Sequence, residues 1–162
     1  MSGELVLRLP TAEDTTALGR RLGSLLRAGD LLVLTGDLGA GKTTLTQGLA
    51  EGLGVRGPIT SPTYVISRVH PSLHDGPALV HVDAYRLGGG TELDDLDLDA
   101  SLPESVTVVE WGAGVAEQLS EDRLELVLVR SDDDAQGQQE RTAYLRGVGG
   151  RWQAFLEQVP SS

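Results

Sequence analysis

Apolar and polar positions along the chain fall into short runs of two kinds. The first kind is solid. Residues 31–35, 78–82 and 106–109 are nearly unbroken apolar stretches, as expected of strands buried on both faces. The second kind recurs at helical spacing. Leu18, Leu22, Leu25 and Leu26 give one apolar face to a segment that begins at Thr11 and stops at Gly29 and Asp30. Thr11 followed by Asp14 has the form of a capping box, which places the helix start there. A second helix is predicted over 42–53, closed by Gly54.

Weaker patterns complete the outline. Residues 4–9 read as a strand halted by Pro10. Residues 64–69 alternate apolar and polar, and a turn over 71–77 joins them to 78–82, so the two predict an antiparallel pair. Residues 124–129 and 141–146 read as strands, 114–119 and 152–159 as helices, and 131–139 as a polar loop. Strands alternating with helices predict an α/β fold: a mixed sheet with a parallel core flanked by helices, in one domain over residues 1–162.

Composition narrows the chemistry. There are no cysteines, so disulfides and Cys-based zinc or redox sites are excluded. His70, His74 and His81 lack zinc-site spacing. No apolar run approaches the ~18 residues of a membrane helix, and the first residues lack a signal-peptide pattern. A soluble, cytoplasmic protein is expected. The net charge of −11, with scattered basic residues, argues against autonomous nucleic-acid binding. A protein partner with a basic face suits it better. Of 13 basic residues 12 are Arg, and the single Lys is Lys42.

That lysine sits in Gly36-Asp37-Leu38-Gly39-Ala40-Gly41-Lys42-Thr43, which meets the pattern G-x-x-x-x-G-K-[ST]. The pattern means something only between a buried strand and a helix, and both are predicted here. By composition, a chance match arises in roughly one chain in several hundred. Glycines let backbone N–H groups converge on phosphate oxygens, and the helix N-terminus adds its positive end. The loop therefore predicts a P-loop NTPase fold binding a nucleoside triphosphate with Mg²⁺. Gly36, Gly39, Ala40, Gly41 and Thr44 would cradle the phosphates, Lys42 would bridge the terminal ones, and Thr43 would ligate the metal.

Two acids follow buried strands: Asp83 after 78–82, and Glu110 after 106–109. In parallel sheets ligands gather at the carboxyl ends of strands. One of the two is expected to hold Mg²⁺, directly or through water, while the other orients the attacking water; an ordinary acid in a strand-end turn is the bland alternative. Ser61, Thr63 and Tyr64 lie 19 to 22 residues beyond Lys42, where hydroxyls would sense the terminal phosphate, or simply stock a Pro-containing turn. Five carboxylates between Glu92 and Asp99 read as a solvated face or partner surface, and Trp111 and Trp152 as packing residues.

Taken in order, the glycine-rich loop through Thr44, Ser61-Pro62-Thr63-Tyr64, His81-Val82-Asp83-Ala84-Tyr85-Arg86-Leu87 and Val109-Glu110-Trp111 resemble the TsaE family, the small ATPases of bacterial tRNA threonylcarbamoyladenosine (t6A) synthesis. The resemblance spans roughly residues 5 to 130. It implies ATP and Mg²⁺ as ligands, and partnership with TsaB and TsaD, whose turnover ATP hydrolysis supports. It puts Lys42 on the phosphates, Thr43 and Glu110 on Mg²⁺, and Asp83 beside the nucleotide. It also puts Ser61 to Tyr64 in a switch-like loop and Thr11 close to the nucleotide. Leu96-Asp97 departs from the family's Leu-Gly pair, and residues after 130 are unmatched.

The expected activity is slow ATP hydrolysis completed by a partner, since no Arg is clearly placed to act in cis and Arg86 is the nearest by motif. Adenine is the expected base, because the guanine-reading Asn-Lys-x-Asp motif cannot exist in a chain without Asn. A small-molecule kinase resembling shikimate kinase is one rival, weakened by the lack of Arg in 111–122. A non-hydrolysing nucleotide sensor is the other.

Overall fold

The computed structural model describes residues 4–36, 41–55, 67–73, 76–83, 104–110, 122–130, 140–149 and 151–159. They form β1 (Glu4–Leu9), α1 (Ala12–Leu25), β2 (Leu31–Gly36), α2 (Lys42–Leu53), β3 (Ser67–His70), β4 (Ala78–Asp83), β5 (Ser105–Glu110), β6 (Arg123–Arg130), β7 (Arg141–Val148) and α3 (Trp152–Gln158). The seven strands make one sheet in the order β1-β7-β6-β2-β5-β4-β3. The four central strands, β6, β2, β5 and β4, are parallel. β7, β1 and β3 pair antiparallel at the edges. The expected mixed α/β sheet with a parallel core is present.

The solid apolar runs became the strands at the centre, where Leu31, Leu32, Leu34, Val106, Val108 and Val109 are fully or almost fully buried. The core lies between one face of the sheet and the three described helices, joining Leu32, Leu34, Val108 and Leu126 to Leu22, Leu45, Leu49 and Phe155. The opposite face is buried at β2, β5 and β4 but exposed toward β6, β7 and β1, at Val127, Val129, Tyr144 and Val6.

Most boundaries match the sequence pattern to within two residues. β2 runs through Gly36, one residue further than expected, and β7 through Val148, two further. β3 covers Ser67–His70 rather than 64–69, of which 64–66 lie outside the described residues. α1 ends at Leu25 with Leu26 as its cap, four residues before Gly29. Its reserved stop signal, Gly29, is used instead in the following turn at φ +94. The expected helix at 114–119, the acidic stretch, the 131–139 loop and Trp111 lie outside the described residues. Trp152 packs in the core, edge-on to Phe155 at 5.0 Å between centroids.

How α1 meets α2 was not legible from the leucine stripe. The two helices touch backbone to backbone. A Cβ on Gly19 would stand 2.2 Å from Leu45 O, and one on Gly23 2.2 Å from Leu49 O. From the other side, a Cβ on Gly48 would stand 2.2 Å from Thr16 O, and one on Gly52 2.2 Å from Arg20 O. No real Cβ tolerates such distances, so only glycine permits this approach. Residue numbers rise together along both helices, so the helices run parallel and their N-termini lie at one end. That end is where the glycine-rich loop delivers the chain into α2.

Candidate functional site

β2 is the middle of the sheet, and its C-terminal end feeds residues 37–40 and then α2. Gly41 is the N-cap of α2, in the left-handed region at φ +96, with no side-chain cap on the helix. The first-turn N–H groups therefore keep their donors for something other than a capping side chain. Such a terminus suits an anion. Lys42, nine-tenths buried, donates from Nζ to the carbonyl of Gly36, so the ammonium lies at the end of β2. Thr43 and Thr44 follow in the first turn, both half-buried. The Thr46 hydroxyl donates to Lys42 O at 2.8 Å and is spent within the helix.

The acids come from the two strands on one side of β2. Leu34 pairs with Glu110, so Glu110 ends β5 two residues short of the Gly36 level. Asp83 pairs with Glu110 in the next ladder, so the two acidic positions are adjacent at the carboxyl ends of parallel strands, as expected. The Glu110 side chain is buried, with 5% of its surface exposed, and its Oε2 lies 3.2 Å from His81 Nε2. His81 is wholly buried and belongs to the motif around Asp83, yet sequence reasoning gave it no role beyond lacking zinc spacing. A buried histidine two positions before a strand-end acid was the available signal.

Thr11 caps α1 as read from the sequence. Asp14 N donates to Thr11 Oγ1 at 3.3 Å, and Thr11 N donates to Asp14 Oδ2 at 3.0 Å. The Thr11 hydroxyl also donates to Asp14 Oδ2 at 2.8 Å, so its chemistry in this structure is that of the capping box. Because α1 and α2 run parallel, this cap lies at the same end as Gly41. Ser61, Thr63, Tyr64, Gly39, Ala40 and Arg86 lie outside the described residues. Among the described residues no cluster of three or more His, Asp or Glu forms a ready metal cage. A single carboxylate with a first-turn hydroxyl is the smaller donor set expected of a site where Mg²⁺ is shared with phosphates.

A strand-to-helix turn with a buried lysine is thus flanked by acidic positions at the ends of two neighbouring strands. The family model described as "Threonylcarbamoyl adenosine biosynthesis protein TsaE" matches residues 9–142. The chain belongs to the TsaE family. Among the TsaE relatives, the tRNA threonylcarbamoyladenosine biosynthesis protein TsaE of Streptomyces coelicolor is 65% identical over 136 residues, covering 83% of this chain and 91% of that protein. The TsaE of Bacillus subtilis is 38% identical over 158 residues, covering 96% and 94%. The crystal structure of Bacillus subtilis YdiB superposes with a TM-score of 0.77 at 35% identity, over 99% of this chain and 96% of that one. The TsaE match therefore extends past residue 130, where the motifs alone gave out, and takes in Arg141. Among the described residues no helix is long and apolar enough to cross a membrane.

Proposed function

We propose that this TsaE-family chain is a slow, Mg²⁺-dependent ATPase of tRNA threonylcarbamoyladenosine synthesis, supporting turnover of a TsaB–TsaD pair. Family membership supports the role in threonylcarbamoyladenosine biosynthesis. The observation that carries the ATPase reading is the placement of Glu110 against the end of β2, whose loop bears the chain's sole lysine.

In this reading the α2 N-terminus and Lys42 hold the phosphates of ATP, and Lys42 exchanges the Gly36 carbonyl for phosphate oxygens. Thr43 and Glu110 would hold Mg²⁺, and the metal would supply positive charge to the phosphates. Asp83, beside Glu110 in the ladder, orients water for attack. Ser61, Thr63 and Tyr64 act as the switch that reports the terminal phosphate to a partner. The cytoplasm is the setting, and the partners carry any contact with tRNA.

Co-precipitation of the purified chain with TsaB and TsaD, with and without ATP, tests the assembly. Nucleotide-dependent association together with partner-stimulated phosphate release is the expected result. Failure to associate under every nucleotide condition would remove the proposed role. ATP binding without any hydrolysis, alone or with partners, would leave a nucleotide sensor in its place.

A further inference from the structure

We propose that Arg141 is a nucleotide-binding residue that holds the α-phosphate, the end of the triphosphate farthest from Glu110. This rests on the nucleotide reading of the glycine-rich loop. Arg141 opens β7 and pairs with Leu9, the last residue of β1 before Pro10 and the α1 cap. Although it is an arginine at a strand end, it is only 6% exposed. Its Nη1 donates to Glu140 O at 2.8 Å. Its Nε lies 3.9 Å from the point where a Cβ on Gly41 would stand, so the guanidinium lies against the α2 N-cap.

A second observation marks the same spot. The Thr15 methyl lies 3.8 Å from that Gly41 point, and Thr15 is 2% exposed. Its hydroxyl has no hydrogen-bond partner among the described residues. A buried polar atom without a partner costs free energy, so a hydroxyl kept at this place is suited to a ligand that supplies one. Two parallel helix N-termini and a buried cation thus lie at this end, with the Thr15 methyl against Gly41 and the unpartnered hydroxyl on the same Thr15 carbon.

Sheet order decides which end of the nucleotide they meet. β5 and β4, with Glu110 and Asp83, lie on one side of β2. β6, β7 and β1 lie on the other. A metal and terminal phosphate held at Glu110 put the nucleoside end on the Arg141 side. A guanidinium offers two parallel donors to one phosphate, which an ammonium cannot. Arg141 therefore contributes to binding, not to the charge that develops during hydrolysis.

Isothermal titration of ADP and ATP into wild type, Arg141→Ala and Arg141→Lys tests this. Arg141→Ala is expected to weaken both nucleotides by about 10-fold or more, the range of a charged hydrogen bond, with a smaller loss in kcat at saturating ATP than in affinity. Arg141→Lys should recover part of the affinity. Unchanged ADP affinity, or a loss confined to melting temperature, would overturn the inference. So would a fall in kcat with ADP affinity intact, since that is the mark of a group acting on the terminal phosphate. Should Arg141→Ala fail to fold, the Arg141 Nε resonance of wild type, assigned with Arg141→Lys, must shift on ADP addition; a resonance that stays put overturns the proposal. Wild type that binds no nucleotide would sink the proposed function and this inference together, whereas normal wild-type binding with an unaffected variant sinks this inference alone.

Discussion

His81 Nε2 stands 3.2 Å from Glu110 Oε2, with both side chains buried on neighbouring strands. His81 pairs directly with Val108, so its ring reaches one step along the ladder toward the acid. The contact has the distance of a hydrogen bond but not the alignment, and neither ring nitrogen has another partner among the described residues. A buried carboxylate that loses its polar neighbour keeps its desolvation cost. His81→Leu is therefore expected to lower stability by about 1–3 kcal/mol in urea denaturation. His81→Gln, which retains a donor, should lose less. Equal stability of all three proteins would mean that the contact contributes nothing.

Lys42 and Glu110 should separate binding from hydrolysis. Lys42→Ala is expected to weaken ADP and ATP by about 10–100-fold, the range for charged hydrogen bonds to phosphate. Glu110→Ala should leave nucleotide affinity near wild type and cut phosphate release by about 100-fold or more. Titration calorimetry and a phosphate-release assay, run on both variants, read the two quantities. The opposite pattern would exchange the roles assigned to the two residues.

The glycine contacts between α1 and α2 make an unusual demand on a small residue. A Cβ at Gly48 meets the carbonyl of Thr16, which is backbone and cannot rotate away. Alanine favours helix by about 1 kcal/mol over glycine, but the overpacking outweighs it, and Gly48→Ala should lose about 3 kcal/mol net of stability. Gly54, which caps α2 at φ +75, gives the comparison: Gly54→Ala should lose about 1 kcal/mol. Urea melts of the two variants, ranked the other way, would show that the helices can part cheaply.

Arg151 ties α3 to the turn before β2. Its Nη2 and Nε donate to the two oxygens of Asp30 at 2.6 and 3.0 Å, while Asp30 also accepts from Arg27 N at 2.7 Å. Asp30 is buried, and the guanidinium lies 5.0 Å from the Trp152 ring centroid. Removing one partner leaves a buried charge uncompensated, so Arg151→Ala should cost about 3 kcal/mol. Because the tether lies away from Glu110 and Lys42, ADP affinity of the folded variant should match wild type in titration calorimetry.

The parallel core was legible because residues 31–35, 78–82 and 106–109 are solid apolar runs, and period alone identifies such strands when turn residues bound them. Thr11 and Asp14 announced the start of α1 through a short-range capping box. Longer-range facts were harder to read. Nothing local in the sequence says that Arg141, a hundred residues beyond Gly41, lies against it, because that contact is made by strand order and not by spacing. His81 was hidden for the same reason, since its meaning depends on a ladder partner. Gly19 and Gly23, and Gly48 and Gly52, did carry a signal: pairs of helix-weakening residues four apart.

The glycine pairs also set which positions can drift. In a complete substitution survey, the ordinary order of tolerance should invert along α1 and α2. Leucines such as Leu18 and Leu53, at the margin of the core, have methionine and isoleucine as near equivalents. Positions 19, 23, 48 and 52 have no equivalent at all, since every other residue adds at least the carbon that does not fit. The smallest side chains on these helices would be the slowest to change.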